Sequence, residues 1–261
     1  VSMDTVARSV WEQMMKILAD GPLSLRRPRL MCSLALTVFA GVMMPAAHSQ
    51  AASCRAEASA EVDWRECNKR LLMLGGSVLD GADLRGTDFT YTDLRGSSFN
   101  KANMEKAKLI RSSLASSQLQ DSNMTKVEAY RSDFSDANAE NARFDNAEMQ
   151  RANFQNAKLV NTNFTKAELG RADFEGAMLT GTKFTMANLS RARFEGATFT
   201  GPIDFENAFL LLTRIEGLDL STATGIDQKQ IDIACGDAKT KLPQGLTTPT
   251  EWPCPEDPDE D

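Results

Sequence analysis

Histidine is almost absent from this chain: 261 residues hold one, His48. That residue falls in a segment expected to be removed on export, as argued below. What remains cannot build a Ser-His-Asp triad, a Cys-His pair or a histidine-ligated zinc. Aromatic residues make up only 7%, and a basic excess is missing: 29 lysines and arginines stand against 36 acidic residues, for a formal charge of −7. Nucleic acid recognition rests on neutralising phosphates with Lys and Arg, so no nucleic acid partner is expected. The chain also lacks a glycine-rich phosphate loop, a Cys-x-x-Cys pair and histidines at metal-ligand spacing. Its carboxylates are many, but none forms an isolated pair. These absences predict a protein that is not an enzyme, with no catalytic residue, no metal and no cofactor. The length itself admits one or two domains and a sizeable core.

What is present begins with an export signal. Arg26, Arg27 and Arg29 stand ahead of an apolar run from Leu30 to Met44, which Pro45, Ala46, Ala47, His48 and Ser49 follow. A basic n-region, an apolar stretch of about fifteen residues and a small-x-small exit describe a secretory signal peptide. Ala47 and Ser49 suit cleavage before Gln50, and Ser49 and Ala51 suit cleavage before Ala52. The run is shorter than the roughly 20 apolar residues of a spanning helix, so no stable membrane span is expected after cleavage. An uncleaved anchor is the alternative. Cys54 lies too far beyond the apolar run to be a lipoprotein cysteine. The expected location is periplasmic or secreted.

From Ser77 to Gly201 the chain repeats every five residues. A large apolar residue marks each centre: Leu79, Leu84, Phe89 and Leu94 at the start, Phe174, Leu179, Phe184 and Leu189 near the end. Only Ala129 and Ala139 are small centres. Two residues before each centre sits a small residue, such as Ala82, Thr87, Ser112 or Thr162, with Val127 the bulkiest. Neither the helical period of about 3.6 nor the strand period of about 2 produces this spacing. A longer register overlies it. AEMQRANFQNAKL from Ala147, AELGRADFEGAML from Ala167 and ANLSRARFEGATF from Ala187 align at intervals of twenty. Fixed-period self-similarity of this kind means a solenoid, with four quintets to a turn. Gly201 and Pro202 add one residue to the register, after which Phe205, Leu210, Ile215 and Leu220 continue as centres.

Segments such as ADLRG, AELGR, ADFEG, ANLSR and ANFQN resemble the A(D/N)Lxx units of the pentapeptide repeat family. The resemblance implies an all-β solenoid, a right-handed quadrilateral β-helix of about seven coils, with short N- and C-terminal caps. Centres ten apart then face each other across one coil, Phe154 against Phe164 and Ala129 against Ala139. Narrowing one diagonal at the alanines leaves room on the other for Phe134 and Phe144, which conserves core volume.

The domain reading is an N-terminal extension and signal peptide over 1–49, an N-terminal cap over 50–76, the repeat β-helix over 77–222, and a C-terminal helical cap with an acidic tail over 223–261. Solenoid ends expose core and need caps. In front, Cys54 and Cys67 bracket Trp64. Behind, Asp227 and Gln230 are spaced as a capping box, Ile226 and Ile231 as a hydrophobic staple, and Gly236 suits the helix end. The run IACGDAKTKLPQGL followed by WPCP resembles the tails of exported bacterial pentapeptide repeat proteins. The tail from Glu256 to Asp261 is expected to be solvated and disordered. Cys32 lies in the signal, and four cysteines allow three pairings. Seven coils at about 4.8 Å hold the ends over 30 Å apart, whereas a disulfide needs Cα atoms within about 7 Å. Cys54–Cys67 and Cys235–Cys254 are the pairs left, with free thiols as the alternative.

The leading surface candidate is an arginine ladder: Arg111, Arg131, Arg151, Arg171 and Arg191, twenty apart and two places after a centre, so outward on one face. Glu128, Glu148 and Glu168 precede it by three residues, and Asp133 and Asp173 follow by two. The interleaving reads as a self-neutralising solvated face, and the sharper alternative is a strip for phosphate-bearing polymers or lipid headgroups. The function expected is that of a non-catalytic exported scaffold binding an unknown protein or envelope polymer, as a monomer or an end-to-end dimer. The family resemblance also raises a competitor, a DNA-mimicking gyrase-interacting protein akin to quinolone-resistance members. Against it, residues 77–222 hold 17 basic and 20 acidic residues, a weak DNA mimic. No long loop projects between coils, and export would separate the protein from gyrase.

Overall fold

The structure is a computed structural model that describes residues 52–255. The segment expected to be a signal peptide, with Cys32 and His48, the expected cleavage positions up to Ala51, and the tail 256–261 lie outside the described residues.

Each quintet places five residues in fixed roles. The small residue and the centre point inward, the residue between them points outward, and the last two turn the corner. The second corner residue is left-handed, with φ of 59° at Arg151 and 56° at Asn156. Hydrogen bonds then run between successive turns. Phe154 N–H donates to Asp173 O at 2.7 Å, and Asp173 N–H donates back to Ala152 O at 2.9 Å. The corner closes locally, Ala157 N–H to Phe154 O at 3.0 Å. An outward Asx often accepts from the first corner residue, as when Glu175 N–H donates to Asp173 Oδ1 at 3.0 Å and Thr165 N–H to Asn163 Oδ1 at 2.9 Å. The frequent Asp and Asn of the repeat are therefore explained by turn chemistry.

The β character is carried by single parallel bridges stepping by twenty residues, in four rows among the described residues. One row runs Asp63, Asp83, Asn103, Asn123, Arg143, Asn163, Lys183, and the next turn meets it at Asp204. The rows begin at Asp63, so the stretch 50–76 assigned to a cap already carries repeat. They run past 222 as well, with Arg214 opposite Cys235 and Asp219 opposite Lys241. The added residue at Gly201 and Pro202 is visible as a step of twenty-one, Lys183 to Asp204 and Asn188 to Phe209.

The core changes character along the stack. Centres such as Leu84, Leu94, Met104 and Leu114 fill the first turns. From Phe134 onward two phenylalanine columns face each other, all fully buried. In one column the Phe134, Phe154, Phe174 and Phe194 rings stack at 5.0, 5.1 and 4.9 Å. The opposing column contacts it edge-on, Phe174 to Phe184 at 5.5 Å and 79°, a geometry the ring quadrupole favours. Buried threonines at the small positions are satisfied by the turn before, Thr87 Oγ1 donating to Trp64 O at 2.7 Å and Thr182 Oγ1 to Leu159 O at 2.8 Å.

Both ends are closed. In front, Trp64 is buried, its indole donating to Ala56 O at 3.2 Å, and Lys69 Nζ sits 3.6 Å from the ring centroid while donating to Cys54 O at 2.9 Å. Burial pushes the Lys69 ammonium below its ordinary pKa. Behind, helix α1 spans Gln228–Asp232 with Asp227 as N-cap and a complete capping box to Gln230. Its C-cap is Ile233, so Gly236 does not end the helix as the sequence suggested. A Cβ on Gly236 would collide with the ring of Trp252: the glycine admits the tryptophan, whose indole donates to Ala234 O at 2.7 Å. The structure holds the disulfides Cys54–Cys67 and Cys235–Cys254, with Cα atoms 5.3 and 5.4 Å apart.

Candidate functional site

The five arginines fall on one of the four edges of the stack. Each is the second corner residue of its quintet, with φ between 53° at Arg111 and 59° at Arg151. Their N–H groups tie them to the next turn, Arg111 to Tyr130 O at 3.0 Å and Arg151 to Gly170 O at 2.9 Å. Backbone hydrogen bonding thus fixes the ladder, and the side chains project from a rigid line. Leu71 and Tyr91 continue the same line below Arg111 with φ of 58°, and Leu212 continues it above Arg191 with φ of 54°.

The expected neutralisation by flanking acids is not how the lower arginines pair. Arg111 donates to the Tyr91 hydroxyl at 3.4 Å with its guanidinium 5.8 Å from that ring, and Arg131 lies 5.5 Å from the ring of Tyr130. Among the described residues, Arg111, Arg131 and Arg151 form no ion pair. Glu128, Glu148 and Glu168 stack on one another as bridge partners along the adjacent flat face, and Glu168 accepts from Asn188 Nδ2 at 2.8 Å. Asp133 accepts from Asn153 and Ser113 at 3.2 Å each. Asp173 is shared between Gln155 at 2.9 Å and Arg193 at 3.8 Å.

The remaining edges differ. Each carries acids at its corners, for example Glu105, Asp136 and Asp121, whereas the corner pairs of the arginine edge, from Arg70–Leu71 to Leu211–Leu212, contain none. Near the front end, charge is paired internally across the outward and corner positions. Arg85 clamps Asp83 and Arg95 clamps Asp93, both at 2.6 Å. The Arg95 hydrogen bond holds the Asp93 carboxyl at about 2, and those of Arg65 and Arg85 lower Asp63 and Asp83. A surface hollow of about 530 Å³ beside Ala52 is lined by these same clamped residues, Arg65 and Arg85, with Glu66 and Glu105. Its two arginines already have carboxylates, and Lys106 completes the lining.

Periodicity located the ladder but not its partners or its backbone state. Spacing says which residues point outward; it does not reveal a left-handed corner or a guanidinium turned to a tyrosine one turn below. Among the described residues, no three His, Cys, Asp or Glu side chains are placed to hold a metal ion, and no helix is long and apolar enough to cross a membrane.

Comparison with known proteins bears on the repeats. The family description Pentapeptide repeat region matches residues 147–224, and Pentapeptide repeats (8 copies) matches 77–115 and 92–125. No curated protein matches by sequence. Among solved structures, HetL is a pentapeptide repeat protein involved in heterocyst differentiation regulation from the cyanobacterium Nostoc sp. strain PCC 7120. It is 21% identical, with 68% of this chain and 90% of HetL covered and a TM-score of 0.37. QnrB1, a plasmid-mediated fluoroquinolone resistance protein, is 18% identical over 69% of this chain and 85% of its own, with a TM-score of 0.48. A pentapeptide repeat protein of the Arabidopsis thaliana thylakoid lumen is 26% identical over 41% and 68%, with a TM-score of 0.23.

Proposed function

We propose, starting from the fact that the chain belongs to the pentapeptide repeat family, that it is an exported, non-catalytic scaffold. In this reading the repeats wind as a right-handed quadrilateral β-helix of about seven coils, and a surface of that rod holds an envelope polymer or protein. The carrying observation is the segregation of charge on a rigid stack: one edge bears arginine and no acid, while the front-end arginines are spent on neighbouring aspartates. A surface held by backbone hydrogen bonds at every turn loses little entropy when it binds. The two cystines support the compartment, since disulfides form and persist outside the reducing cytosol. A β-helix by itself licenses no activity.

The test is the N-terminal residue and cell fraction of the native protein, read by mass spectrometry. A start near Gln50 or Ala52 in the periplasmic or secreted fraction, with both cystines formed, is the expected result. An uncut cytoplasmic chain with reduced cysteines would overturn export and make a gyrase supercoiling-protection assay the next measurement.

A further inference from the structure

We propose that the arginine edge docks lengthwise on an anionic lipid surface. The inference deepens the scaffold reading and rests on it. Three separate observations lead to it.

The first is charge. No acid interrupts the corner positions of this edge, and Arg111, Arg131 and Arg151 form no ion pair among the described residues. Guanidinium groups match phosphate oxygens in bidentate geometry.

The second is backbone. A left-handed corner is most easily occupied by Gly, Asn or Asp. The other three edges use them freely, as at Gly96, Asn156, Gly81, Asn161, Gly86 and Asn146. On the arginine edge every left-handed residue from Leu71 to Leu212 is large. The turn itself does not select that column.

The third is the distribution of exposed apolar side chains. Leu71 is 72% exposed and Met73 80%, with Tyr91 beside them at one end of the edge. Phe209 is 48% exposed at the other end, with Leu211 and Leu212. Most of the large exposed hydrophobics of the described residues therefore lie on or next to the line of arginines.

The apolar ends choose the occupant. A soluble polyphosphate or acidic polysaccharide would use the arginines and leave the leucines in water. A bilayer surface meets both, with phosphates against the cations and the interfacial region against Leu, Met, Tyr and Phe. Glu128, Glu148 and Asp133 on the flat faces beside the edge repel phosphate, so contact is along the edge and not on a face. From Leu71 to Leu212 the line rises seven steps of about 4.8 Å, which gives a contact about 34 Å long.

The experiment is vesicle co-sedimentation of the protein as isolated, with its N-terminus defined by mass spectrometry. The vesicles are phosphatidylcholine alone and phosphatidylcholine mixed with phosphatidylglycerol; inorganic polyphosphate is the soluble probe. Binding is expected only to the anionic vesicles and should fall as salt rises. Each arginine near an anionic surface contributes roughly five-fold in partition, so Arg131→Asn with Arg151→Asn should weaken binding about twenty-five-fold. Leu71→Asn with Leu212→Asn should weaken vesicle binding by about ten-fold or more and leave polyphosphate binding unchanged. All four substitutions put Asn at a left-handed corner, which Asn occupies with less strain, so thermal midpoints at or above that of the parent should report intact folds. Vesicle binding that survives either double variant overturns the proposal. So does polyphosphate binding that matches vesicle binding and ignores the leucines. A processed protein that ignores anionic vesicles overturns the lipid inference while leaving export standing; an unprocessed cytoplasmic protein overturns export itself.

Discussion

The turns before Ala129 and those after it share one backbone and are stabilised differently. Before it, leucine and methionine centres such as Leu94 and Met104 fill most of the core, with Phe89 and Phe99 among them, and the surface is stitched by Asp-x-Arg clamps at Asp83–Arg85 and Asp93–Arg95. After it, two stacked phenylalanine columns fill two of the four inward columns, from Phe134 and Phe144 to Phe194 and Phe205, while Met149, Leu169 and Leu179 keep the other two aliphatic. The aliphatic turns can relax around a lost side chain because Leu and Met repack. The ring columns cannot, because each ring is held from above, below and across. A repeat backbone thus sets register, while the residue type at the centres sets local stiffness.

The largest expected effect tests that stiffness. Phe174→Ala should cost about 3–5 kcal/mol, since it leaves a cavity between stacked rings. Met104→Ala should cost less, near the lower end of the roughly 2–5 kcal/mol seen for aliphatic truncation, because flexible neighbours collapse into the space. Denaturant midpoints of the two variants measure the difference. Equal losses would erase the distinction between the two halves.

Next come the ends, one on each half. Cys54→Ser and Cys235→Ser open loops of similar length, with separations of 13 and 19 residues, and each should cost about 3 kcal/mol. Thermal unfolding followed by amide exchange should show fraying that starts at the altered end. Nearest-neighbour coupling predicts that the far half stays protected at first. Simultaneous loss of protection at Leu84 and Phe194 would mean that the stack unfolds as one unit.

Much of this division was legible in the sequence. The period of five placed Phe154 opposite Phe164 and Phe174 opposite Phe184, and the extra residue at Gly201 and Pro202 was readable because the phase of the centres shifts there. The period does not say where repeats stop when centres become irregular. For that reason the sequence presents the turn around Asp63 as a cap, its centres being Trp64 and the less regular Lys69. Gly236 reads as a helix end because glycine is common there, and only the position of Trp252, sixteen residues on, reveals its packing role. The arginine ladder was visible as spacing. Its left-handed backbone and the tyrosine contacts of Arg111 and Arg131 depend on dihedrals and rotamers, which spacing does not encode.

A smaller effect separates the halves by pH. Asp63, Asp83 and Asp93 are held below the ordinary carboxylate value of 3.8 by their arginines, Asp93 at about 2. A depressed folded pKa means that the unfolded chain binds protons first as pH falls. The contribution is therefore complete above the unfolded value and is lost between about pH 4 and pH 2. The arginines of these pairs are partly exposed, so the loss should be modest and should weaken as salt screens the pairs beforehand. Protection factors at Leu84 and Leu94, each referred to the intrinsic exchange rate at that pH, should fall between pH 5 and pH 2.5 by more at low salt than at high salt. Equal falls at both salt levels would show that the clamps contribute nothing.

The smallest effect concerns the arginine edge, which crosses both halves. Arg151 occupies a left-handed corner in which Asn is less strained, so Arg151→Asn should raise stability by on the order of 0.5 kcal/mol. Asn156→Arg, at a left-handed corner of another edge with φ of 56°, should lower it by a similar amount. If corner strain alone governed residue choice, the arginine column would have no reason to persist against Asn or Gly. A higher midpoint for Arg151→Asn, measured beside a lower one for Asn156→Arg, would show that the column is held against the preference of its own backbone. Unchanged or opposite shifts would mean that the arginines are accommodated without strain, and the backbone argument for a selected edge would fall while its charge and apolar arguments stood.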